Sequence, residues 1–299
     1  MFVIDKLSTN NLQITKALVI QKLHKPKTSM FIRLSMQVGI SEAIRLLSTH
    51  SSNSTSTKLL IEKKQIDNKF NEWLSGLIDG DGCFQLSKKG YASLEIVMDT
   101  RDKHCLYIVK QKFGGSIKLK SGFKWLRYRL HHKEGILNII KSVNGLIRNP
   151  DRILQLGKLC EKYDVILKYP QPLTYDNGWL SGFIDSDGSV YMNQMSDQIF
   201  ITASQKNKYI LDPLVKLYGG TIYSMVKVGA FKWTVFRKDD ILNLLNYFED
   251  YPLRSDKHKR IKLIFKYNEL RKLKAHKASN ISPLGKAWNR LLKKWENYK

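Results

Sequence analysis

Residues 73–82 read WLSGLIDGDG and residues 179–188 read WLSGFIDSDG, a near-copy displaced by 106 residues. That displacement is the length of a small domain, so it predicts two similar halves related by a pseudo-two-fold axis. Each copy is apolar and rich in small residues, as a buried helix requires, and then ends in two aspartates and a glycine. A helix C-terminus carries partial negative charge, so carboxylates there are destabilised unless a cation sits beside them. Two such ends brought together by symmetry make an acidic spot suited to a hard divalent metal. Asp81 and Asp187, one step from the helix end and just before each first strand, are the candidate metal ligands. Asp79 and Asp185 have a plainer option, hydrogen bonding to nearby turn backbone. Gly76 and Gly182 lack a side chain and let the two motif helices approach closely.

The halves keep step beyond the first motif. KFGGSI at 112–117 answers LYGGTI at 217–222, GFKW at 122–125 answers AFKW at 230–233, and ILNII at 136–140 answers ILNLL at 241–245. Periodicity predicts a helix over 71–80, then a hairpin through Phe84, Leu86, Leu94, Ile96 and Met98, with Lys88-Lys89-Gly90 as its turn. A helix over 103–113 stops at Gly114, and a second hairpin folds around Ser121-Gly122. Helices over 134–146 and 150–163 close the half. The order α-β-β-α-β-β-α-α predicts an α+β half-domain with an antiparallel sheet. The expected organisation is a basic, Ser-rich leader and linker (1–70), a first half (71–163), a linker (164–176), a second half (177–275) and a basic C-terminal helix (276–299). The leader has few acids and a polar run over 48–58, a composition shared with organelle transit peptides.

Charge selects the partner. Lys and Arg number 51 against 26 Asp and Glu, a net charge of +25, so a large polyanion is expected, nucleic acid ahead of an anionic membrane surface. No apolar run is long enough for a membrane span. Cys83, Cys105 and Cys160 are odd in number and widely spaced, which argues against a disulfide framework or a cysteine-built zinc site. His131 and His132, adjacent at a strand end, point to opposite faces and do not form a metal pair.

WLSGLIDGDG and WLSGFIDSDG resemble the LAGLIDADG motif of intron-encoded homing endonucleases and RNA maturases, in its single-chain, two-motif form, over residues 71–275. The resemblance implies two pseudo-symmetric α-β-β-α-β-β-α half-domains, antiparallel saddle-shaped sheets over DNA, and motif helices packed at the interface, in a monomer. It implies Mg²⁺ held by Asp81 and Asp187, with the carbonyls of Gly80 and Ser186 joining the shell. It implies a basic residue after each second hairpin: Lys257 fits, as a group that polarises water, whereas the first half has Asp151 there with Arg152 adjacent. Gln205 matches a polar residue near the metals, and its first-half counterpart falls at Asp99 or Thr100. DNA contact is expected on the sheet face opposite the apolar set: Gln85, Ser87, Lys89, Lys118, Lys120, Arg127 and Arg129, then Tyr191, Asn193, Tyr223, Lys227 and Arg237. The implied activity is site-specific double-strand DNA cleavage. Assistance to group I intron RNA splicing is the alternative, and a non-catalytic DNA-binding regulator a further one. The implied setting is a mitochondrion, or alternatively a chloroplast.

Overall fold

The computed structural model describes residues 64–297 apart from 121–123 and 194. The leader before residue 64 and the turn at Ser121-Gly122 lie outside the described residues. The first motif helix, α1, covers 64–81 and so takes in 64–70, which the sequence reading assigns to the leader. The reason is Phe70, 6% exposed, which extends the apolar stripe of Trp73, Leu74, Leu77 and Ile78 back by a turn into the same core.

After α1 come β1 (Gly82–Leu86), β2 (Ala92–Asp99), α2 (Lys103–Phe113), β3 (Ser116–Leu119), β4 (Trp125–Leu130), α3 (Lys133–Val143) and α4 (Pro150–Lys162). The second half repeats the order as α5 (Trp179–Asp187), β5 (Gly188–Asn193), β6 (Gln198–Gln205), α6 (Asp212–Tyr218), β7 (Thr221–Met225), β8 (Ala230–Val235), α7 (Lys238–Asp250) and α8 (Lys257–Lys272). A last helix, α9 (Pro283–Glu296), follows. Each half holds one antiparallel four-stranded sheet, ordered β1-β2-β4-β3 and β5-β6-β8-β7. This is the α+β duplication the repeated motif predicts.

Local chemistry sets the boundaries. The paired glycines after α2 and α6 take left-handed backbone, with φ of 78° and 87° at Gly114 and Gly115 and 74° and 80° at Gly219 and Gly220. Such φ values strain any residue with a Cβ, which is why both halves spell Gly-Gly where the chain turns from helix into strand. Helix α3 ends at Val143 rather than at 146, because Asn144 is extended and Gly145 is left-handed. Helix α4 opens with Pro150 at its first position, and the Asn149 side chain accepts from the Asp151 amide.

Each half has its own apolar core under the inner face of its sheet. Helix α9 is not a separate basic appendage. Trp288, Leu291 and Trp295, spaced along one face, are buried in the second core. The halves meet along α1 and α5. A Cβ on Gly76 would lie 2.0 Å from the Trp179 carbonyl oxygen, and one on Gly182 only 1.8 Å from that of Trp73. The crossing is therefore backbone on backbone, and only glycine fits. Two reciprocal bonds lock it: Trp73 Nε1 donates to Asp185 Oδ2 at 2.8 Å and Trp179 Nε1 to Asp79 Oδ2 at 2.7 Å.

Candidate metal centre and nucleic-acid face

The crossing of α1 and α5 brings their C-terminal tips side by side. A Cβ on Gly80 would meet Ser186 Oγ at 2.1 Å and Asp187 Oδ2 at 3.0 Å. Asp81 and Asp187 both emerge here, half-buried, at the point where each helix passes into the first strand of its sheet. Burial and the neighbouring Asp187 charge push the Asp81 carboxyl up to about 7, against the pull of Lys257. Burial raises Asp187 to about 6, opposed by a hydrogen bond from Gln205 Nε2 and by the charges of Lys257 and Arg152. Two carboxylates held together at this cost fit a divalent cation, whose charge removes the repulsion. Among the described residues no group of three or more His, Cys, Asp or Glu side chains converges. The remaining positions of a cation would fall to carbonyls, water or a ligand's oxygens.

Asp79 and Asp185 face the other way. Each is 0% exposed. Asp79 accepts from the amides of Arg148 and Asn149 at 2.8 and 3.0 Å, and Asp185 from those of Arg254 and Ser255 at 2.8 and 3.0 Å. With the tryptophan bonds, they tie each helix end to a loop of its own half and to the opposite motif helix. Their role is architectural, as their turn-bonding option anticipates.

Lys257 is placed differently from the water-polarising expectation. Its ammonium donates to the carbonyls of Ile184, Asp185 and Ser186 at 3.0, 2.6 and 3.2 Å. An ammonium has three N–H donors, and all three are engaged. Lys257 thus caps the negative end of α5 and acts on the acids through its field. The matching amide bonds to Asp79 and Asp185 make Asp151 the counterpart of Lys257. In the first half its work is shared. Asn149 Nδ2 donates to the Asp79 carbonyl at 2.9 Å, and Arg152 Nη2 reaches the Gly80 carbonyl at 3.5 Å.

Strand register corrects the partner of Gln205. Gly82 pairs with Ile96 and Ile96 with Tyr128, while Gly188 pairs with Ala203 and Ala203 with Trp233. The counterpart of Gln205 is therefore Met98, 2% exposed, and not Asp99 or Thr100. Asp99 instead caps the turn that follows, accepting from the Arg101 amide at 2.9 Å. The two acids are thus served unequally: Gln205 donates to Asp187, and its counterpart Met98, buried in the first core, has no N–H to offer Asp81.

On the outer face of the first sheet, Gln85, Ser87, Lys118, Arg127 and Arg129 are exposed and line one shallow groove. Lys118 pairs with Arg127 across β3 and β4, and Lys120 follows directly at the strand end. Lys89 lies in the β1–β2 turn. In the second sheet Tyr191, Asn193 and Tyr223 share the outer face. Two expected contacts lie off that face. Lys227 sits in a helical turn between β7 and β8. Arg237 follows β8 with the parity of buried Trp233 and Val235 and lines a separate groove beside α7 and α8. The residue that the alternation of Phe231, Trp233 and Val235 does indicate is Lys232, whose ammonium lies 5.3 Å from the centre of the Tyr191 ring.

The duplicated half, the glycine crossing and the paired acidic tips define a class: two-fold repeated α+β proteins whose motif helices cross at the seam and carry an acid at each tip. A profile of the LAGLIDADG endonuclease family matches residues 74–161 and again 180–268. The chain belongs to the LAGLIDADG endonuclease family. It is 42% identical over 235 residues to the intron-encoded RNA maturase bI4 of Saccharomyces cerevisiae, covering 77% of this chain and 37% of that protein. It is 38% identical over 244 residues to the intron-encoded DNA endonuclease ai2a of Dictyostelium discoideum, covering 78% and 77%. The chain thus spans well under half the length of the first relative. In fold it is similar to the I-LtrWI LAGLIDADG homing endonuclease bound to target DNA, with a TM-score of 0.59 at 19% identity over 77% of this chain and 98% of that one. No helix among the described residues is long and apolar enough to cross a membrane.

Proposed function

We propose that this chain is a site-specific double-strand DNA endonuclease that acts as a monomer and requires a divalent cation, Mg²⁺ in the cell. The observation that carries this reading is the meeting of the helix tips that bear Asp81 and Asp187, where β1 and β5 begin, in a chain whose first sheet has a basic outer face. Asp81 and Asp187 would hold the cation, with the Gly80 and Ser186 carbonyls beside them, each oxygen keeping a lone pair beyond its Arg152 or Lys257 bond. When bound, Mg²⁺ supplies polarisation of the phosphate and activation of water. The chain's own residues do the rest. Lys257 and Arg152 favour the ionised acids, Gln205 orients the Asp187 carboxylate, and the arginines and lysines of the outer faces fix the duplex through its phosphates and base edges. Two unlike halves suit a long asymmetric target. The intron-encoded relatives support a mitochondrial setting.

The 42% identity to a relative named as an RNA maturase, with an acid at Asp151 where the second half has Lys257, favours a second activity: assistance to group I intron splicing. One set of variants tests both. Asp81→Asn and Asp187→Asn should each abolish conversion of a target plasmid to linear form in Mg²⁺ while DNA binding persists. Normal linearisation by both would remove Asp81 and Asp187 from the cutting machinery, and a wild type that cuts no target in Mg²⁺ would remove the endonuclease reading. Splicing of the intron RNA by the double variant would support the second activity, and loss of splicing would count against a maturase role independent of the acids.

A further inference from the structure

Helix α8 begins against its own dipole. Its first four residues are Lys257, His258, Lys259 and Arg260, with no acid in the first turn. Positive charge at a helix N-terminus is unfavourable. The residue before it, Asp256, makes no side-chain cap, because its carboxylate turns out to Lys259 Nζ at 2.8 Å. What meets this N-terminus comes from the other half of the molecule. Asp102, buried at 6% exposure in the turn after β2, accepts the Asp256 amide at 2.9 Å through Oδ1.

The pseudo-symmetric position shows what this contact is for. Because Arg148 and Asn149 bind Asp79 as Arg254 and Ser255 bind Asp185, Pro150 is the counterpart of Asp256. Asp99 and Asn207 cap matching helical turns, Thr100–Asp102 and Lys208–Ile210, so Ile210 is the counterpart of Asp102. Proline has no backbone N–H to give and isoleucine no side-chain oxygen to receive one. Donor and acceptor are both present on one side of the axis and both absent on the other. The side without them needs neither. Helix α4 carries its own cap at Asn149, a proline at its first position and an acid at Asp151. Helix α8 gives up those devices to start with Lys257, whose ammonium reaches the end of α5.

We propose that Asp102 is a positioning residue. From the first half it anchors the start of α8, and so holds Lys257 on the carbonyls that precede Asp187. This rests on the endonuclease reading for its consequence. Loss of the anchor takes the Lys257 bonds from the tip that carries Asp187, whereas the tip that carries Asp81 keeps its bond from Arg152. The Asp187 side is therefore impaired most, although the Lys257 field reaches both acids. A supercoiled target plasmid reads this directly. Asp102→Ala should slow the nicked-to-linear step by at least about tenfold, the range seen when outer-shell partners of a metal site are removed. The first nick and DNA affinity should change little. Asp102→Asn retains an accepting oxygen and should restore most of the rate. Asp256→Pro deletes the donor together with the carboxylate that meets Lys259, at a residue whose φ of −60° already suits proline. It should reproduce Asp102→Ala, whereas Asp256→Ala, which keeps the amide, should behave as wild type. Amide exchange at residues 255–257 supplies a second readout, slow in the wild type and fast in Asp102→Ala. A wild-type protein that cuts no DNA would defeat the endonuclease reading and leave exchange to judge the anchor. Unchanged exchange, or full-rate linearisation by both Asp102→Ala and Asp256→Pro, would overturn it.

Discussion

Asp81 holds a carboxyl that burial and Asp187 keep protonated up to about 7, and its behaviour with pH follows. Below about pH 4 the group is neutral in both the folded and the unfolded chain. Between there and about pH 7 the unfolded chain ionises while the folded one keeps its proton. The group's stabilising contribution is therefore lost as pH rises through that window. Replacing it with a neutral amide should raise the cation-free protein's unfolding free energy at pH 8, on the order of 4 kcal/mol for Asp81→Asn, while showing little effect at pH 4. Denaturant titrations at the two pH values measure this. The paired acids were legible in the sequence because a duplicated Asp-x-Asp-Gly has no ordinary place at a helix end. The task of Lys257 was not. Its three bonds depend on how α8 docks against α5, which no local pattern encodes. The Gln205 counterpart was misplaced because the two halves differ in length in the first hairpin. Gly82 and Gly188 lie 106 apart while their strand partners Ile96 and Ala203 lie 107 apart, so alignment by motif spacing slips by one there.

Among the elements, the crossing of α1 and α5 decides the geometry, and two glycines decide the crossing. A methyl on Gly76 or Gly182 would enter a carbonyl of the facing helix, at 2.0 or 1.8 Å, and neither backbone can yield without separating the tips. Gly76→Ala should cost about 3 kcal/mol, the upper end for overpacking, and Gly182→Ala at least as much. Thermal unfolding scores the first effect and Mg²⁺-dependent cutting the second. The small residues of the motif made this close approach readable from sequence. Strand faces were readable where apolar alternation is clean, as in β4, where Arg127 and Arg129 flank buried Tyr128. The alternation ends with β8, and Arg237, beyond it, took its expected place from charge alone. Lys232 was overlooked although Phe231, Trp233 and Val235 mark its face.

For the whole molecule, the +25 charge and the exposed basic residues of the first sheet govern how nucleic acid arrives. Affinity should fall steeply with salt as condensed counterions are released. Replacing Lys118 and Arg127 together with alanine should lower the slope of log affinity against log salt by about 2, near one per lost phosphate contact. Binding measured across a salt series would show it, and an unchanged slope would remove these residues from the interface. Asp102 and Asp256 belong to this scale too, since their bond joins residues far apart in the chain and only the assembled halves reveal it. The most direct measurement counts cations. Mn²⁺, a paramagnetic stand-in for Mg²⁺, can be titrated into the complex with target DNA and followed by electron paramagnetic resonance. The wild type should hold Mn²⁺ that the Asp81→Asn, Asp187→Asn double variant does not, at equal DNA occupancy. An equal count of bound Mn²⁺ in both would show that the helix tips are not where the cation sits.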